Sequence, residues 1–233
     1  MQIISWNVHF DINEKKYSKI KENPCDILIL LECRHTSFDF IKDDWENCLW
    51  YNDTLHENKS DYGIAIFSNK YRLEFTDNFN RNFRFIIPLK IYKDKKFIFY
   101  LFAVWTKSKP ISYSANVLKA LEFSGYQEYI SDRALFIGDF NTNVKPGQTK
   151  TYDDLVKTGI IDCTDTEHKL SRTFFQNDNY GFYTADYCFA TPKMKDSYEI
   201  IETLGEMKES ISGNNKYEGL SDHCPVFVEI KGI

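Results

Sequence analysis

The sequence predicts an α/β fold, and three observations carry that prediction. Two short apolar runs, Ile3-Ile4-Ser5-Trp6 and Ile27-Leu28-Ile29-Leu30-Leu31, are separated by a polar stretch with helical spacing, which reads as strand, helix, strand. A further run, Ala134-Leu135-Phe136-Ile137, is closed by Gly138 and preceded by a long amphipathic segment, so the order recurs later in the chain. Each of these runs ends in a polar side chain, at Asn7, Glu32 and Asp139, and a parallel unit brings such ends to one edge of a sheet.

In chain order, the first strand is expected to end at Asn7. Residues 14–22 are polar with Tyr17 and Ile20 three apart, as in a surface helix stopped by Pro24. Residues 26–31 form the second buried strand, ending at Glu32. A short helix is expected around 38–41 and a strand at 63–68. The apolar runs 83–92 and 96–105, joined by Lys93-Asp94-Lys95, read as a hairpin. Residues 114–130 place Val117, Leu118, Leu121 and Tyr129 on roughly one helical face. After Asp139 a polar loop leads to a short helix at 152–157. The stretch 173–190 is strand-like with a break at Asn177-Asp178-Asn179, 199–204 is another strand, 206–219 is a polar loop, and the chain closes on an alternating strand after Pro225.

At 233 residues, without a linker or an internal repeat, residues 1–233 are expected to form a single domain. The net charge of -5 argues against a broad footprint on duplex nucleic acid, whose nonspecific binding rests on clustered Lys and Arg. It leaves room for a local basic groove or for carboxylates gathered around a cation. The cysteines, Cys25, Cys33, Cys48, Cys163, Cys188 and Cys224, form no C-x-x-C pair and no small-framework spacing, which argues against a structural zinc or a disulfide scaffold. The amino terminus enters a strand pattern at once, and no run reaches the length of a membrane span. The expectation is a cytoplasmic protein with reduced thiols and no membrane partner.

Asp139 and Asn141 are two apart. If the backbone stays extended they project to one side of the strand mouth while Phe140 turns into the core. An Asx turn leaving a strand explains the same pair. Polar groups also flank the predicted strands at Asp186 and at Asp222-His223. In this order, Ser5-Trp6-Asn7, Leu31-Glu32, Gly138-Asp139-Phe140-Asn141, Asp186-Tyr187 and Ser221-Asp222-His223-Cys224-Pro225 resemble the endonuclease/exonuclease/phosphatase superfamily, in a short, bacterial-type form. The resemblance spans nearly the whole chain, and its Gly-Asp-Phe-Asn and Ser-Asp-His-x-Pro motifs are specific as a pair.

The resemblance implies a four-layer α/β/β/α sandwich of two mixed sheets and a hydrolase of phosphate esters. It gives Glu32 as the main ligand of Mg2+ (or Mn2+), with Asp222 serving the cation or orienting His223. His223 would contact the scissile phosphate, with Asp186 on its other ring nitrogen. Asp139 would orient or deprotonate the attacking water or protonate the leaving group, Asn141 would donate to a phosphate oxygen, and Asn7 would position Asp139 or the metal's water. Trp105 departs from the pattern: it stands where relatives commonly carry a His or Tyr, and indole has a donor but cannot act as a general acid. Lys107 and Lys109 follow it and offer charge. Arg34, Arg172 and Tyr183 are further candidates to touch substrate, in a family that places substrate choice in loops. The expected activity is divalent-metal-dependent hydrolysis of a phosphodiester in a nucleic acid or nucleotide. The alternatives are hydrolysis of a small-molecule or lipid-headgroup phosphoester, or a binding module without catalysis, a reading that rests on Trp105 alone.

Overall fold

Along the first strand, β1 (Gln2–Phe10), Ile3 and Ile4 point to opposite faces and both are buried, so the sheet they belong to is covered on each side. The computed structural model describes residues 1–52, 61–107, 114–142, 150–163, 173–175, 182–203 and 220–233. After β1 come α1 (Glu14–Glu22), capped by the Asn13 side chain, β2 (Ile27–Arg34), α2 (His35–Ile41), β3 (Asn47–Tyr51) and β4 (Tyr62–Ser68). The chain continues through β5 (Arg72–Phe75), β6 (Ile86–Lys93), β7 (Lys96–Trp105), α3 (Ser114–Glu122), α4 (Gln127–Ile130) and β8 (Ala134–Asp139). It ends with α5 (Lys150–Lys157), β9 (Ile161–Asp162), β10 (Phe174–Phe175), β11 (Phe182–Tyr183), β12 (Asp186–Ala190), α6 (Pro192–Ser197), β13 (Glu199–Thr203) and β14 (Val226–Lys231).

Two six-stranded sheets result, ordered β13-β14-β1-β2-β4-β3 and β5-β6-β7-β8-β12-β9, with β10 and β11 as a separate small hairpin. Both large sheets are mixed: β1 runs parallel to β2, and β7 runs parallel to β8, while their other pairings are antiparallel. The period of two sorts the core into three layers. Ile3, Ile27, Ile29 and Leu31 meet Leu89, Leu101, Leu135 and Ile137 between the sheets. Ile4, Leu28 and Leu30 pack outward under Tyr17 and Ile20 of α1 and Ile41 of α2. Phe102, Phe136 and Phe189 pack outward on the other side under Val117 and Leu121 of α3 and Leu155 of α5. This is the four-layer arrangement the motifs imply, and the opening strand, helix, strand is the parallel unit expected.

The differences are local. β1 runs past Asn7 to Phe10, and β2 runs past Glu32 to Arg34. The helix expected over 114–130 breaks at Phe123 and resumes through a 3-10 turn at Ser124–Tyr126, because Gly125 interrupts it. β3 and β5 were not anticipated: both lie at sheet edges and are only partly buried, so neither carries a clean apolar period. The β6–β7 hairpin turns at Asp94 and Lys95, both left-handed at φ 50° and 66°. The polar segment 206–219 lies outside the described residues.

Gly138 is a fixed point of this framework. Its φ is 139°, and a Cβ there would sit 2.0 Å from the Val104 carbonyl oxygen of the neighbouring strand. Gly138→Ala is therefore expected to cost roughly 3 kcal/mol or more in a urea denaturation experiment, by combining backbone strain with a steric clash. A loss below about 1 kcal/mol would show that the strand pair shifts freely to admit the methyl group.

Candidate active site

The inter-sheet face of several strands changes from apolar to polar at one end. In β1 the face carrying Ile3 arrives at Asn7; in β8 the face carrying Leu135 and Ile137 arrives at Asp139; in β12 the face carrying Cys188 and Ala190 starts at Asp186. Asp139 and Asp186 are directly opposite in the antiparallel β8–β12 register. Glu32 reaches the same place by another route. The pairing of β2 with both neighbours shifts around it, and its φ is 53°. Leu31 packs between the sheets and Cys33 packs outward, so Glu32 is the extra residue of a bulge that re-aims its side chain.

These groups form one hydrogen-bonded network across the two sheets. The Asn7 side-chain amide donates to Glu32 Oε1 at 3.1 Å and to Asp139 Oδ2 at 3.2 Å. Its own Oδ1 accepts from the His9 backbone N–H at 3.1 Å. Asp139 is held in addition by the Asn141 backbone N–H on Oδ1 and the Asn141 amide on Oδ2, both at 2.9 Å. Asn141 does not continue the strand: its φ is 46°, and the contact with Asp139 is an Asx turn, while Phe140 is buried as expected. The turn and the site thus coexist in one pair of residues. The Asn141 amide also donates to the Thr106 carbonyl at 3.0 Å, so both of its hydrogens are engaged within the protein.

His223 Nδ1 lies 2.9 Å from Asp186 Oδ2, and both side chains are buried. Its Nε2 comes within 3.5 Å of the Asn7 amide nitrogen. The ring is anchored through its backbone as well. The Trp6 indole N–H donates to the His223 carbonyl at 2.8 Å, and Ser221 Oγ accepts the His223 N–H at 3.1 Å while donating to the Asn7 carbonyl at 2.6 Å. Asp186 is fixed by Thr173, whose hydroxyl oxygen accepts the backbone N–H of Ala185 at 2.8 Å and of Asp186 at 3.0 Å. Sequence reasoning missed Thr173 and Ser221 in this role. Ser221 adjoins the His223 motif and was findable, whereas Thr173 carries no signal apart from its fold position.

Burial and charge act together on two of these groups. Burial pushes the Asp139 carboxyl up, His223 draws it down and Asp186 raises it again, leaving it at about 7. For His223, burial opposes the charge, but Asp186 and then Asp139 override it and lift the imidazole to about 10 from its ordinary 6.5. At neutral pH the ring is therefore an imidazolium, and Asp139 sits near its midpoint.

The remaining predicted residues are placed as follows. Asp222 is at the rim, with Oδ1 3.4 Å from His9 Nδ1. Trp105 is only 3% exposed, packed against Phe85 with ring centroids 4.4 Å apart, and it sits opposite Asp139 in the parallel β7–β8 register. It is a buried side chain of the inter-sheet core beside the site. Lys107 holds its ammonium over the rings of Trp105, Tyr62 and Phe85, at 4.4, 5.0 and 5.3 Å from their centroids. Arg34 is bracketed by Asp11 at 3.1 Å and Asp61 at 3.5 Å. Tyr183 pairs with Phe174 in the small hairpin, its side chain lying outside the described residues, as do Arg172 and Lys109 altogether.

Two donor sets are available to a cation. Among the described residues, one ligand atom each from Asp139, Asp186 and His223 lie within 4.8 Å of one another. Two of these atoms already face each other as a carboxylate–imidazolium pair, and a charged ring has no lone pair to offer a metal. Glu32 fits a hard cation better. It is half-buried at the mouth, Oε1 takes the Asn7 amide, and among the described residues nothing donates to Oε2.

With this geometry in place, the architecture is that of the endonuclease/exonuclease/phosphatase fold. An endonuclease/exonuclease/phosphatase family protein from Leptotrichia buccalis superposes with a TM-score of 0.64 at 16% identity, covering 100% of both chains. A 3'-5' exonuclease from Neisseria meningitidis gives 0.61 at 17% identity over 99% of each chain. The mannosyl-6-phosphatase of Bacteroides thetaiotaomicron gives 0.63 at 16% identity over 99% of each chain. No family model and no curated protein matches the sequence.

Asp186→Asn keeps a hydrogen-bond acceptor for His223 but removes the charge that favours the imidazolium. In chelator-treated protein, NMR titration is expected to place the His223 pKa well below about 10, and an unchanged value would make Asp186 a purely structural carboxylate. The stability contributed by the pair is complete below the ordinary pKa of 6.5 and is lost as pH rises through about 10. In the variant that alkaline loss should be smaller.

Proposed function

We propose that this chain is a divalent-cation-dependent phosphodiesterase that hydrolyses a nucleic acid or nucleotide by attack of water. The observation that carries this reading is the convergence of two hydrogen-bonded groups, Asn7 with Glu32 and Asp139, and His223 with Asp186, linked through Ser221 and drawn from both sheets. Such a convergence has what phosphoester hydrolysis requires: a carboxylate open to a cation, a proton acceptor poised near neutral pH, and a fixed positive donor for the phosphate.

A Mg2+ or Mn2+ ion held by Glu32 would neutralise charge on the phosphate and acidify a bound water. Asp139 then takes a proton from the attacking water as the water oxygen bonds to phosphorus, since its carboxyl, pushed up to about 7, exchanges protons readily at neutral pH. The ester P–O bond breaks, and the leaving oxygen takes up a proton from solvent. The Asn7 and Asn141 amides, both donating to Asp139 Oδ2, hold that carboxyl in a single orientation. His223, charged and backed by Asp186, offers Nε2–H to a phosphate oxygen and steadies the charge that builds there. Since the Asn141 amide is spent on Asp139 and Thr106, its part is to orient Asp139. Lys107, held over three rings, supplies a second cation at the end of the strand beside Asp139. Trp105 takes no proton in this scheme, and none is needed from it.

A small phosphoester is the second reading. It is favoured by the net charge of -5 and by the acidic rim of Asp11, Asp61 and Asp222, which disfavour a long duplex.

Hydrolysis of single-stranded oligonucleotides is expected to stop on chelation and to return with Mg2+ or Mn2+. Glu32→Gln should lose most of the cation binding seen by calorimetry, because the amide keeps the shape without the charge. Unchanged affinity would take Glu32 out of the ligand role. Asp139→Asn should lower kcat by roughly 10²- to 10⁴-fold with the fold intact, and a smaller effect would assign the proton transfer elsewhere.

A further inference from the structure

Beyond the catalytic network, β1 ends in a bend that packing does not explain. His9 and Phe10 are consecutive non-glycine residues with left-handed backbones, at φ 48° and 78°. That conformation disfavours any side chain bearing a Cβ, and such outliers persist only where the surroundings impose them. Here the surroundings do so deliberately. The buried Lys16 ammonium donates to the Val8 carbonyl and to the Asp11 carbonyl, both at 2.6 Å, clamping the backbone on either side of the bend. The His9 N–H is held by Asn7 Oδ1 at 3.1 Å, which ties the bend to the catalytic amide itself. Burying a lysine to maintain a strained turn would be offset in the core if Phe10 packed there, but Phe10 belongs to none of the buried clusters and stays half-exposed.

What the bend achieves is the position of the Phe10 ring. In the strand register Phe10 stands beside Cys33, one residue past Glu32, and Tyr62 stands opposite Arg34 on the far side of β2. The two rings meet over the strand end with centroids 5.0 Å apart and planes at 56°. Tyr62 in turn reaches the Trp105 ring of the other sheet at 6.1 Å, so the aromatic strip crosses the mouth of the site alongside Glu32 and Asp139. A cation lies at each end: the Arg34 guanidinium 5.7 Å from the Phe10 ring and the Lys107 ammonium 5.0 Å from the Tyr62 ring.

We propose that Phe10 and Tyr62 form a stacking subsite for an unpaired nucleobase next to the scissile phosphate, so that the substrate is single-stranded nucleic acid. Aromatic faces between cations suit a strand whose bases alternate with phosphates, and stacking of this kind tolerates any base. A duplex keeps its bases paired and offers no such face. The inference rests on the phosphodiesterase reading, and it deepens that reading by naming the class of substrate.

The test uses the full chain with Mg2+ and three substrates: a single-stranded DNA oligonucleotide, a strand of the same length made of abasic residues, and mannose 6-phosphate. Wild-type protein is expected to favour the base-bearing strand over the abasic one by roughly tenfold in kcat/KM, mostly through KM. Tyr62→Leu should remove most of that preference. Phe10→Gly should do the same while melting no lower than wild type, because glycine relieves the left-handed strain; a purely structural Phe10 would lose stability and leave the preference alone. Equal rates on the two strands in the wild type, or a preference that survives both variants, would overturn the subsite and leave the phosphodiesterase reading standing. Faster hydrolysis of mannose 6-phosphate, impaired by Phe10→Gly, would make the rings a sugar platform and overturn it as well. If the wild type cleaves no phosphoester at all, the phosphodiesterase reading falls and the subsite with it.

Discussion

The Asn7 amide joins a carboxylate of one sheet to a carboxylate of the other, and the rest of the site is arranged around that bridge. Asn7 lies on β1, Glu32 on β2 beside it, and Asp139 on β8 across the sandwich. Two carboxylates brought this close repel each other unless a donor or a cation stands between them. A neutral amide with two hydrogens satisfies both without adding charge, so Asp139 keeps a proton affinity set by its surroundings. An ammonium in the same place would lock both carboxylates in the ionised form.

A buried cluster of this kind is expensive, since each desolvated ion costs several kcal/mol before pairing. The sandwich offsets it with a dry core on either side of each sheet, where every fully buried Ile or Leu contributes about 1.5 to 3 kcal/mol. His223 and Asp139 both bind protons more tightly in the fold than their ordinary values would give. The site is thus most comfortable protonated, and rising pH works against the fold at the same two groups to which the proposed mechanism gives the proton and the phosphate.

Much of this was legible in the chain itself, for a physical reason. A strand buried on both faces must be apolar throughout, so the places where Asn7, Asp139 and Asp186 end such runs point, taken together, to the sheet edge. The parts that escaped are those decided by backbone exceptions. Nothing in Leu31-Glu32-Cys33 announces a bulge, and nothing in His9-Phe10 announces two left-handed residues, because neither stretch contains the glycine that normally signals such geometry. A strand-end aromatic next to a site, such as Trp105, looks the same in sequence whether it faces substrate or the seam between sheets. Thr173 acts through one hydroxyl on two backbone groups, and only the folded chain brings them to it.

The antiparallel pairing of β14 with β1 carries a consequence for how the molecule comes into being. β14 lies between β13 and β1 inside its sheet, and His223 sits just ahead of it. Chains are synthesised from the amino end, so β1 waits with one edge unpaired until β14 has emerged. Contacts spanning more than two hundred residues, such as Trp6 with His223, form last and close slowly. The imidazole arrives together with the strand that seals the sheet. Until β14 pairs with β1 the chain therefore has neither a closed sheet nor an imidazole held in place beside Asp186.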